Sequence, residues 1–169
     1  MSIPKDKPKT KFIIALMYKK YPDDLISGIE KNFGEIDERS DEIDFNFTGY
    51  YEKEFGKDLR KRFLSFKRSF DLEKLPDAKL FCSEIEKIYS KGGKRLVNID
   101  PGYITNNSVV LASFKERAHR IYLREGVYAD LEMVFENNEW HAFRWTFPDI
   151  QEIKIKEFLK KAKEKIKEN

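Results

Sequence analysis

A nearly unbroken apolar run over residues 12–18 is the feature that most constrains the fold. A run of this length with almost no polar alternation predicts a buried strand. Pro22 and the two aspartates after it predict the start of a helix whose apolar residues share one face, and Gly34 predicts its end. The chain therefore begins with a strand followed by a helix.

The pattern then continues with two strands, a second helix and a fourth strand. The predicted segments are a half-buried strand at 43–48, a helical turn at 50–55, a strand at 62–68, a helix at 76–89 and a strand from residue 94. Gly56 is predicted to end the helical turn, and Gly92 with Gly93 to end the second helix. The order β-α-β-β-α-β is that of a ferredoxin-like unit, with an unusually long turn between its second and third strands.

The segment at 108–147 predicts an antiparallel β-meander, because its strand registers can be tested by polarity. A three-residue loop ending at Gly126 matches the polarity of every opposing pair, whereas a two-residue turn would set charged residues against apolar ones. The predicted register pairs Leu123 with Val127, Tyr122 with Tyr128, Ile121 with Ala129 and Arg120 with Asp130. A four-residue turn at 115–118 is predicted to pair the strand before it with the strand at 119–123.

A turn at Asn137 and Asn138 leads into a last predicted strand at 140–147, and Asp149 is predicted to cap a C-terminal helix. The predicted fold class is α+β, a ferredoxin-like βαββαβ unit continued by an antiparallel β-meander, with a C-terminal helix. We predict a flexible basic N-terminal tail at residues 1–10 and a single α+β domain at residues 11–169.

Composition narrows the class of protein. The 169 residues suit one domain, and the 40% hydrophobic and 14% aromatic fractions exclude a disordered chain. Charged residues make up 37% of the chain and Gln151 is its only glutamine, a balance typical of proteins from hot environments. The net charge of +3 is too small to identify a nucleic-acid-binding protein by itself.

The expected location follows from cysteine usage and from targeting signals. Cys82 is the only cysteine, which excludes an internal disulfide and fits a reducing compartment. The first ten residues lack the apolar core of a signal peptide, and no apolar run is long enough to span a bilayer. We therefore expect a soluble cytoplasmic protein without a membrane partner, and the sequence does not indicate its oligomeric state.

One face of the predicted meander carries the leading candidate site. Arginine offers a fork for phosphate or carboxylate groups, and tyrosine offers a stacking surface with a hydroxyl at its tip. The candidate ligand-binding residues on this face are Arg120, Tyr122, Tyr128, Asp130 and Arg144. The alternative interpretation is a solvated sheet face with cross-strand ion pairs and a tyrosine pair.

A second group of candidates lies on the strand predicted from residue 94. We predict that Lys94, Arg95, Asn98 and Tyr103 contact the ligand and that Asp100 is a catalytic carboxylate. Proline and glycine follow Asp100, so a turn-forming aspartate is an alternative interpretation. Tyr103 fits packing in the core equally well.

His119 is the second catalytic candidate, as a general base or as a donor to phosphate at the sheet edge. A structural histidine at the end of a strand is the alternative interpretation. His141 lies two predicted strands away, and one cysteine cannot complete a typical zinc site with these histidines. We therefore assign no metal and no cofactor.

Four blocks of sequence, taken in order, resemble a known bacterial family. They are residues 49–56 (Gly-Tyr-Tyr-Glu-Lys-Glu-Phe-Gly), 94–103 (Lys-Arg-Leu-Val-Asn-Ile-Asp-Pro-Gly-Tyr), 119–123 (His-Arg-Ile-Tyr-Leu) and 145–149 (Trp-Thr-Phe-Pro-Asp). The chain resembles the domain of unknown function 4416 family from its first strand to Asp149. Phe147 stands where a tyrosine is expected in that family. The resemblance supports the fold unit and the choice of candidate residues, but it implies no reaction.

These residues favour a binding module for a small anionic or phosphate-bearing ligand, such as a nucleotide. In this hypothesis Arg120, Arg144 and Lys94 bind the negatively charged group of the ligand, and Tyr122 and Tyr128 stack on the ligand. One alternative is an enzyme acting on a phosphate-containing substrate, with Asp100 or His119 as acid or base. Another is RNA binding through the basic and aromatic sheet face. The sequence does not decide whether the protein is an enzyme.

Overall fold

Nine strands in the described part of the chain form one antiparallel sheet, and two more form a separate hairpin. The structure is a computed structural model and describes residue 3, residues 5–49 and residues 51–166. Its strands are β1 (Lys11–Tyr18), β2 (Ile36–Arg39), β3 (Ile43–Asp44), β4 (Arg60–Phe66), β5 (Ser90–Lys91), β6 (Lys94–Arg95), β7 (Val97–Ile104), β8 (Ser108–Ser113), β9 (Arg120–Arg124), β10 (Val127–Glu136) and β11 (Glu139–Ala142). Its helices are α1 (Asp23–Phe33), α2 (Glu52–Phe55), α3 (Leu75–Ile88) and α4 (Ile153–Glu164), with 3-10 turns at Leu72–Lys74 and Pro148–Gln151. Within the same residues, no helix is long and apolar enough to cross a membrane.

The first half of the chain has the strand order of a ferredoxin-like unit, which confirms the predicted α+β class. The sheet runs β7-β1-β4-β2 through this half, and each neighbouring pair is antiparallel. All eight residues of the central strand β1 are buried, which explains why its sequence lacks polar alternation. Helices α1 and α3 share a core cluster with Ile14 and Leu16 of β1, so both lie on one face of the sheet.

Helix α4 covers the opposite face of the same sheet. Its residues Phe158 and Leu159 pack with Ile13 of β1 and Phe63 of β4 in a second core cluster. Each fully buried side chain of this size stabilises the fold by about 1.5–3 kcal/mol. The predicted C-terminal helix is therefore confirmed, but the predicted cap is wrong: Asp149 lies in the preceding 3-10 turn, where its carboxylate is buried.

The second strand of the unit lies earlier in the chain than predicted. Strands β2 and then β3 pair with β4 along one edge of the sheet. The predicted strand at 43–48 is therefore wrong beyond Asp44. Phe45 and Phe47 both pack into one cluster with Leu59, and their ring centroids are 5.8 Å apart. The alternation in this segment thus reflects aromatic packing and not the pleat of a strand.

The predictions for the glycines have different outcomes. Gly56 ends α2 with a φ of 81°, as predicted, although Tyr50, where the predicted turn begins, lies outside the described residues. Gly92 and Gly93 do not end α3, which stops at Ile88. They have φ angles of 59° and 75° and form the turn between β5 and β6. Two consecutive left-handed residues match the twist of a hairpin, so this pair is a hairpin signal.

The meander follows the order β7-β8-β10-β11, and β9 pairs with β10. The predicted β9–β10 register is confirmed for Tyr122 with Tyr128, Ile121 with Ala129 and Arg120 with Asp130. At the turn the prediction is wrong by one residue, because Val127 lies opposite Arg124 and not Leu123. The register shifts between Val127 and Tyr128, as it does at a β-bulge.

The predicted pairing of β8 with β9 is wrong. β8 pairs with β10, with Ala112 opposite Ala129. β10 uses one edge for β8 and the other edge for β9 and then β11, so residues 114–119 carry the chain across β10. A register test between neighbours in sequence cannot detect a strand that is inserted between them. The last strand is also shorter than predicted, because β11 ends at Ala142.

Part of the predicted N-terminal tail contacts the domain. Lys7 Nζ lies 2.9 Å from Glu73 Oε1, with both side chains largely exposed. Thr10 is buried, and its hydroxyl donates a hydrogen bond to the Phe70 carbonyl oxygen. Residues 1, 2 and 4 of the predicted tail lie outside the described residues. Flexibility of residues 1–10 stays a prediction.

Candidate functional site

The close approach of β7 and β8 at Gly102 sets the geometry of the site. β8 pairs with β7 only over Gly102, Tyr103 and Ile104, whereas β1 pairs with β7 along its whole length. Only glycine fits at this point, because a Cβ atom on Gly102 would lie 2.2 Å from the Val110 carbonyl oxygen. The Asp-Pro-Gly segment is therefore part of a strand and not the turn that its composition also allowed.

Two side chains of α3 take the place of a neighbouring strand at Ile99. Glu86 Oε1 accepts a hydrogen bond from the Ile99 N–H at 2.6 Å, and Lys79 Nζ donates to the Ile99 carbonyl at 3.3 Å. Lys79 and Glu86 are seven residues apart, which places them on one face of the helix, two turns from each other. Both residues are buried, so their charges need partners.

Lys79 finds its charged partner in Asp100, with Nζ and Oδ1 2.7 Å apart. Burial disfavours the charge on both groups, but their mutual attraction outweighs it. The pKa of Lys79 is therefore raised, and the pKa of Asp100 is lowered. Asp100 is held as a carboxylate, which suits a base or an anchor and not a proton donor.

Arg95 links the Lys79–Asp100 ion pair to α2. Its Nε and Nη2 atoms donate to the two carboxylate oxygens of Glu54 at 2.6 and 3.0 Å. These hydrogen bonds lower the pKa of Glu54. Arg95 Nη1 donates to Glu86 and Asn98, both at 2.9 Å, and Asn98 donates to Asp100 Oδ2 at 2.7 Å. A continuous hydrogen-bonded chain therefore runs from α2 to α3.

Arg120 of β9 forms a second ion pair on the meander side. Its Nε donates to Asp130 Oδ2 at 2.6 Å, and its Nη1 donates to Ser113 Oγ at 2.8 Å and to the Lys115 carbonyl at 2.9 Å. The side chains of Arg120 and Asp130 are only 6% and 3% exposed. This part of the predicted polar sheet face is thus buried, and its ion pair is internal.

Both groups of side chains line a cavity of about 130 Å³, which we call the polar cleft. Its charged lining residues are Lys79, Arg95, Asp100, Lys115, Arg120, Asp130 and Glu132, and its aromatic lining residues are Tyr51, Phe114 and Phe147. The ferredoxin-like half and the meander therefore meet at this cavity. Charged side chains that converge in a cleft and are mostly buried are typical of functional sites.

Two acids of the polar cleft keep oxygens without a hydrogen-bond partner among the described residues, Glu132 Oε1 and Asp130 Oδ1. The Asp130 oxygen lies 3.4 Å from His119 Nε2. The second oxygen of Glu132 accepts a hydrogen bond from the Phe147 N–H at 3.3 Å. Burial, with the charges of Asp130 and Asp149, raises the pKa of Glu132 to about 8. Glu132 is therefore mostly protonated at neutral pH.

Arg95 also lines a larger cavity of about 820 Å³, which we call the basic cleft. The loop after β1, the start of α1, α2 and the β5–β6 hairpin form its walls. Its charged lining residues are Lys19, Lys20, Asp23, Asp24, Glu54, Lys91, Lys94 and Arg95, and its aromatic ones are Tyr21, Phe55 and Tyr89. All four lysines are exposed. The volume falls within the range of about 300–1,000 Å³ that is usual for small-molecule sites.

The structure brings several predicted site residues to these clefts. Lys94 lines the basic cleft, and Arg95 lines both clefts. Asp100, Arg120 and Asp130 line the polar cleft. The two predicted groups, which lie on different halves of the fold, therefore converge on one region.

Other predicted residues lie at the margin or elsewhere. Tyr103 packs with the core cluster on the α3 side of the sheet, and burial raises its pKa. Tyr122 and Tyr128 form an edge-to-face pair, with ring centroids 5.3 Å apart. Arg144 is exposed in the turn after β11 and not on a strand. Tyr103, Tyr122, Tyr128 and Arg144 line neither cleft.

His119 lies beside the polar cleft, just before β9. Its ring stacks on Trp145, with centroids 4.9 Å apart and planes 10° from parallel. Its Nε2 atom faces Asp130, and its side chain is 20% exposed. Both the general-base interpretation and the structural interpretation fit this position.

Sequence reasoning missed four acids and bases of the site: Glu54, Lys79, Glu86 and Glu132. Lys79 and Glu86 carried a usable signal, because a lysine and a glutamate seven residues apart fall on the buried face of the predicted helix at 76–89. Glu132 lies two residues after Asp130 on a strand. This spacing indicated that the two acids share a face, but not that Glu132 is buried. Glu54 carried no signal, because its partner Arg95 is 41 residues away.

The fold and the clefts define a ferredoxin-like α+β domain that is extended by a meander and has a charged site where the two parts meet. The chain belongs to the family described as a domain of unknown function (DUF4416), whose family model matches residues 8–166. This match confirms the resemblance found in the sequence. Neither a curated protein nor a solved structure matches the chain.

Proposed function

We propose that the protein binds a small phosphate-bearing ligand in the basic cleft, and that nucleotides are the class that suits the cleft best. The observation that carries this proposal is the combination of size, charge and aromatic surface in one cavity of about 820 Å³. A cavity of this volume can accommodate a nucleotide-sized molecule.

Charge supports an anionic ligand. Five lining residues of the basic cleft are cationic and three are acidic, which gives the lining a formal net charge of +2. Lysines whose ammonium groups reach solvent attract phosphate without first breaking an internal ion pair. Arg95 differs from them, because its guanidinium group is already bound by Glu54 and Glu86.

Aromatic side chains support a ligand with a planar part. Tyr21, Phe55 and Tyr89 line the same cavity as the lysines. The guanidinium carbon of Arg95 lies 5.3 Å from the centre of the Phe55 ring, so a cation and an aromatic face are already combined there. A base or other flat ring can stack on such surfaces while its phosphate contacts the lysines.

An enzyme acting on a phosphate-containing substrate is the second candidate function. The polar cleft favours it, because Arg95 joins that cleft to the basic cleft and because Asp100 and Glu132 have shifted pKa values. Asp100 or His119 would act as the base. RNA binding through the sheet face has weaker support, because Arg120 is bound by Asp130, although Tyr122 offers an exposed ring.

The test is calorimetric titration with ATP, pyrophosphate, ribose 5-phosphate and a ten-nucleotide RNA at low and moderate salt. The double variant Lys20→Glu/Lys94→Glu reverses two charges in the basic cleft. We expect it to weaken nucleotide binding by about tenfold or more, which corresponds to about 1.4 kcal/mol. The matched control is Lys160→Glu/Lys161→Glu, which reverses two exposed lysines on α4 and should leave binding unchanged.

Three outcomes separate the candidates. Equal binding by the cleft variant and the control variant would reject the basic cleft as the site. Binding of RNA alone, with a steep loss of affinity as salt rises, would favour the RNA alternative. Turnover of a bound phosphate compound that Asp100→Asn abolishes, while binding persists, would establish the enzyme.

A further inference from the structure

We infer that the polar cleft is a second site, which binds a small oxyanion, and that the Glu132 carboxyl group donates a hydrogen bond to this anion. The ligand class is a sulfate, phosphate or carboxylate group small enough for a cavity of about 130 Å³. The inference does not rest on nucleotide binding in the basic cleft, because it concerns a different cavity and a different probe.

The geometry of Glu132 leads to this inference. The residue is fully buried and lines the polar cleft. Its Oε2 atom accepts a hydrogen bond from the Phe147 N–H at 3.3 Å, whereas Oε1 has no hydrogen-bond partner among the described residues. A buried polar atom without a partner is uncommon and indicates a missing ion, water or ligand. Because a protonated carboxyl group has one O–H, and Oε2 already accepts, the proton belongs on Oε1.

The surrounding charges favour the protonated form. The charged groups around Glu132 come from every element that lines the polar cleft or packs against the residue. They are Asp130 on its own strand, Lys61 on β4, Asp100 on β7, Lys79 on α3, Arg95 on β6, Lys115 after β8, His119 just before β9, Arg120 on β9, and Asp149 on the 3-10 turn before α4. Two of these cations are already paired, since Lys61 Nζ lies 2.5 Å from Asp149 and Arg120 Nε lies 2.6 Å from Asp130. Burial and the two aspartates outweigh the Phe147 hydrogen bond and Lys61, and they raise the pKa of Glu132 to about 8.

Size and charge select an oxyanion as the ligand. A water molecule occupies about 30 Å³, so the cavity has room for about four waters or one small oxyanion. The lining has four cationic and three acidic side chains, and protonation of Glu132 raises its formal net charge from +1 to +2. A neutral Glu132 also removes the repulsion that a carboxylate would exert on the ligand and replaces it with a donor. Donors that the fold already holds in place need little reorganisation when the anion arrives.

Sulfate is the appropriate probe, because its charge stays constant over the relevant pH range. The titrations use the full chain with Lys20→Glu/Lys94→Glu, so that the basic cleft does not contribute. We expect sulfate affinity to fall about tenfold between pH 7 and pH 9, as a group with a pKa of about 8 loses its proton. At pH 9, binding should take up close to one proton, measured by calorimetry in buffers that differ in ionisation enthalpy.

Two variants locate the proton. Glu132→Gln keeps the shape of the side chain and an N–H donor at every pH, so we expect sulfate affinity to become independent of pH between 7 and 9. Glu136→Gln is the matched control, because Glu136 is exposed on the same strand, and it should keep the dependence of the parent protein. Equal sulfate affinity at pH 7 and pH 9 in the parent, no proton uptake at pH 9, no sulfate binding, or a pH dependence that persists in Glu132→Gln would each overturn the inference. Nucleotide binding by the protein with intact lysines would stand in every one of these cases.

Discussion

The two clefts share Arg95 but hold their charges in opposite ways. In the basic cleft, Lys20 and Lys94 are exposed to solvent. In the polar cleft, Lys79 and Arg120 are buried in ion pairs of 2.7 and 2.6 Å. Exposed charges contribute little to folding and remain available to a ligand, whereas a buried charge that loses its partner destabilises the fold strongly. The basic cleft should therefore respond to mutation mainly in affinity, and the polar cleft mainly in stability.

The largest expected effect is on stability in the polar cleft. Lys79→Met keeps the length of the side chain but removes the charge that faces Asp100 and the donor to the Ile99 carbonyl. Because it leaves a partly buried carboxylate without its cation, we expect the free energy of unfolding to fall by about 3–5 kcal/mol. Urea denaturation at pH 7 measures this change.

Lys87→Met on the same helix is the matched control. Lys87 also has an acidic partner, with its Nζ 2.5 Å from Glu84, but both side chains are about two-thirds exposed. Solvent screens such a pair, so we expect its loss to change stability by less than about 0.5 kcal/mol. Similar losses in Lys79→Met and Lys87→Met would contradict the distinction between buried and exposed charges.

The fold was largely predictable because its signals are local. The apolar run of β1, the helix start at Pro22 and the polarity match around Gly126 each depend on residues close in sequence. Such signals suffice to order the elements of a ferredoxin-like unit. They fail where packing overrides the local pattern, as at Phe45 and Phe47, whose alternation comes from an aromatic cluster.

The polar cleft was less predictable because its contacts are distant in sequence. Lys79 and Asp100 are 21 residues apart, and Glu54 and Arg95 are 41 residues apart. These pairs form only once α3 lies against β7 and α2 lies against the β5–β6 hairpin. The insertion of β10 between β8 and β9 then buries Asp130, which the predicted register left on an exposed face. Residue type indicated the candidates, but only the topology decides which of them meet.

A second, smaller effect on stability depends on pH. The folded protein holds the proton of Glu132 up to a pKa of about 8, whereas the unfolded chain releases it near the ordinary value of 4.5. Between these pH values ionisation of Glu132 stabilises the unfolded state but not the folded state. Glu132 therefore destabilises the wild-type fold progressively as pH rises towards 8. Glu132→Gln cannot ionise and therefore lacks this destabilisation. The free energy of unfolding of the variant minus that of the wild type should be about 2–3 kcal/mol larger at pH 8 than at pH 5.5.

Urea denaturation of both proteins at the two pH values tests this effect. Glu136→Gln is again the control, because Glu136 is an exposed glutamate on the same strand. A difference between wild type and Glu132→Gln that does not change with pH would show that Glu132 is ionised in the fold. The polar cleft would then contain three carboxylates, and its lining would have a formal net charge of +1, compared with +2 in the basic cleft.

The smallest expected effect on stability belongs to the basic cleft. Lys94→Ala removes an exposed ammonium group, so we expect the free energy of unfolding to change by less than about 0.5 kcal/mol. Its nucleotide affinity should nevertheless fall about three- to fivefold, as expected for the loss of one partly exposed contact worth about 0.6–1 kcal/mol. Urea denaturation and calorimetry on the same preparation measure both quantities, with Lys160→Ala as the control. A stability loss comparable to that of Lys79→Met would mean that the basic cleft is part of the folded network, and its lysines would then be structural and not free to hold a ligand.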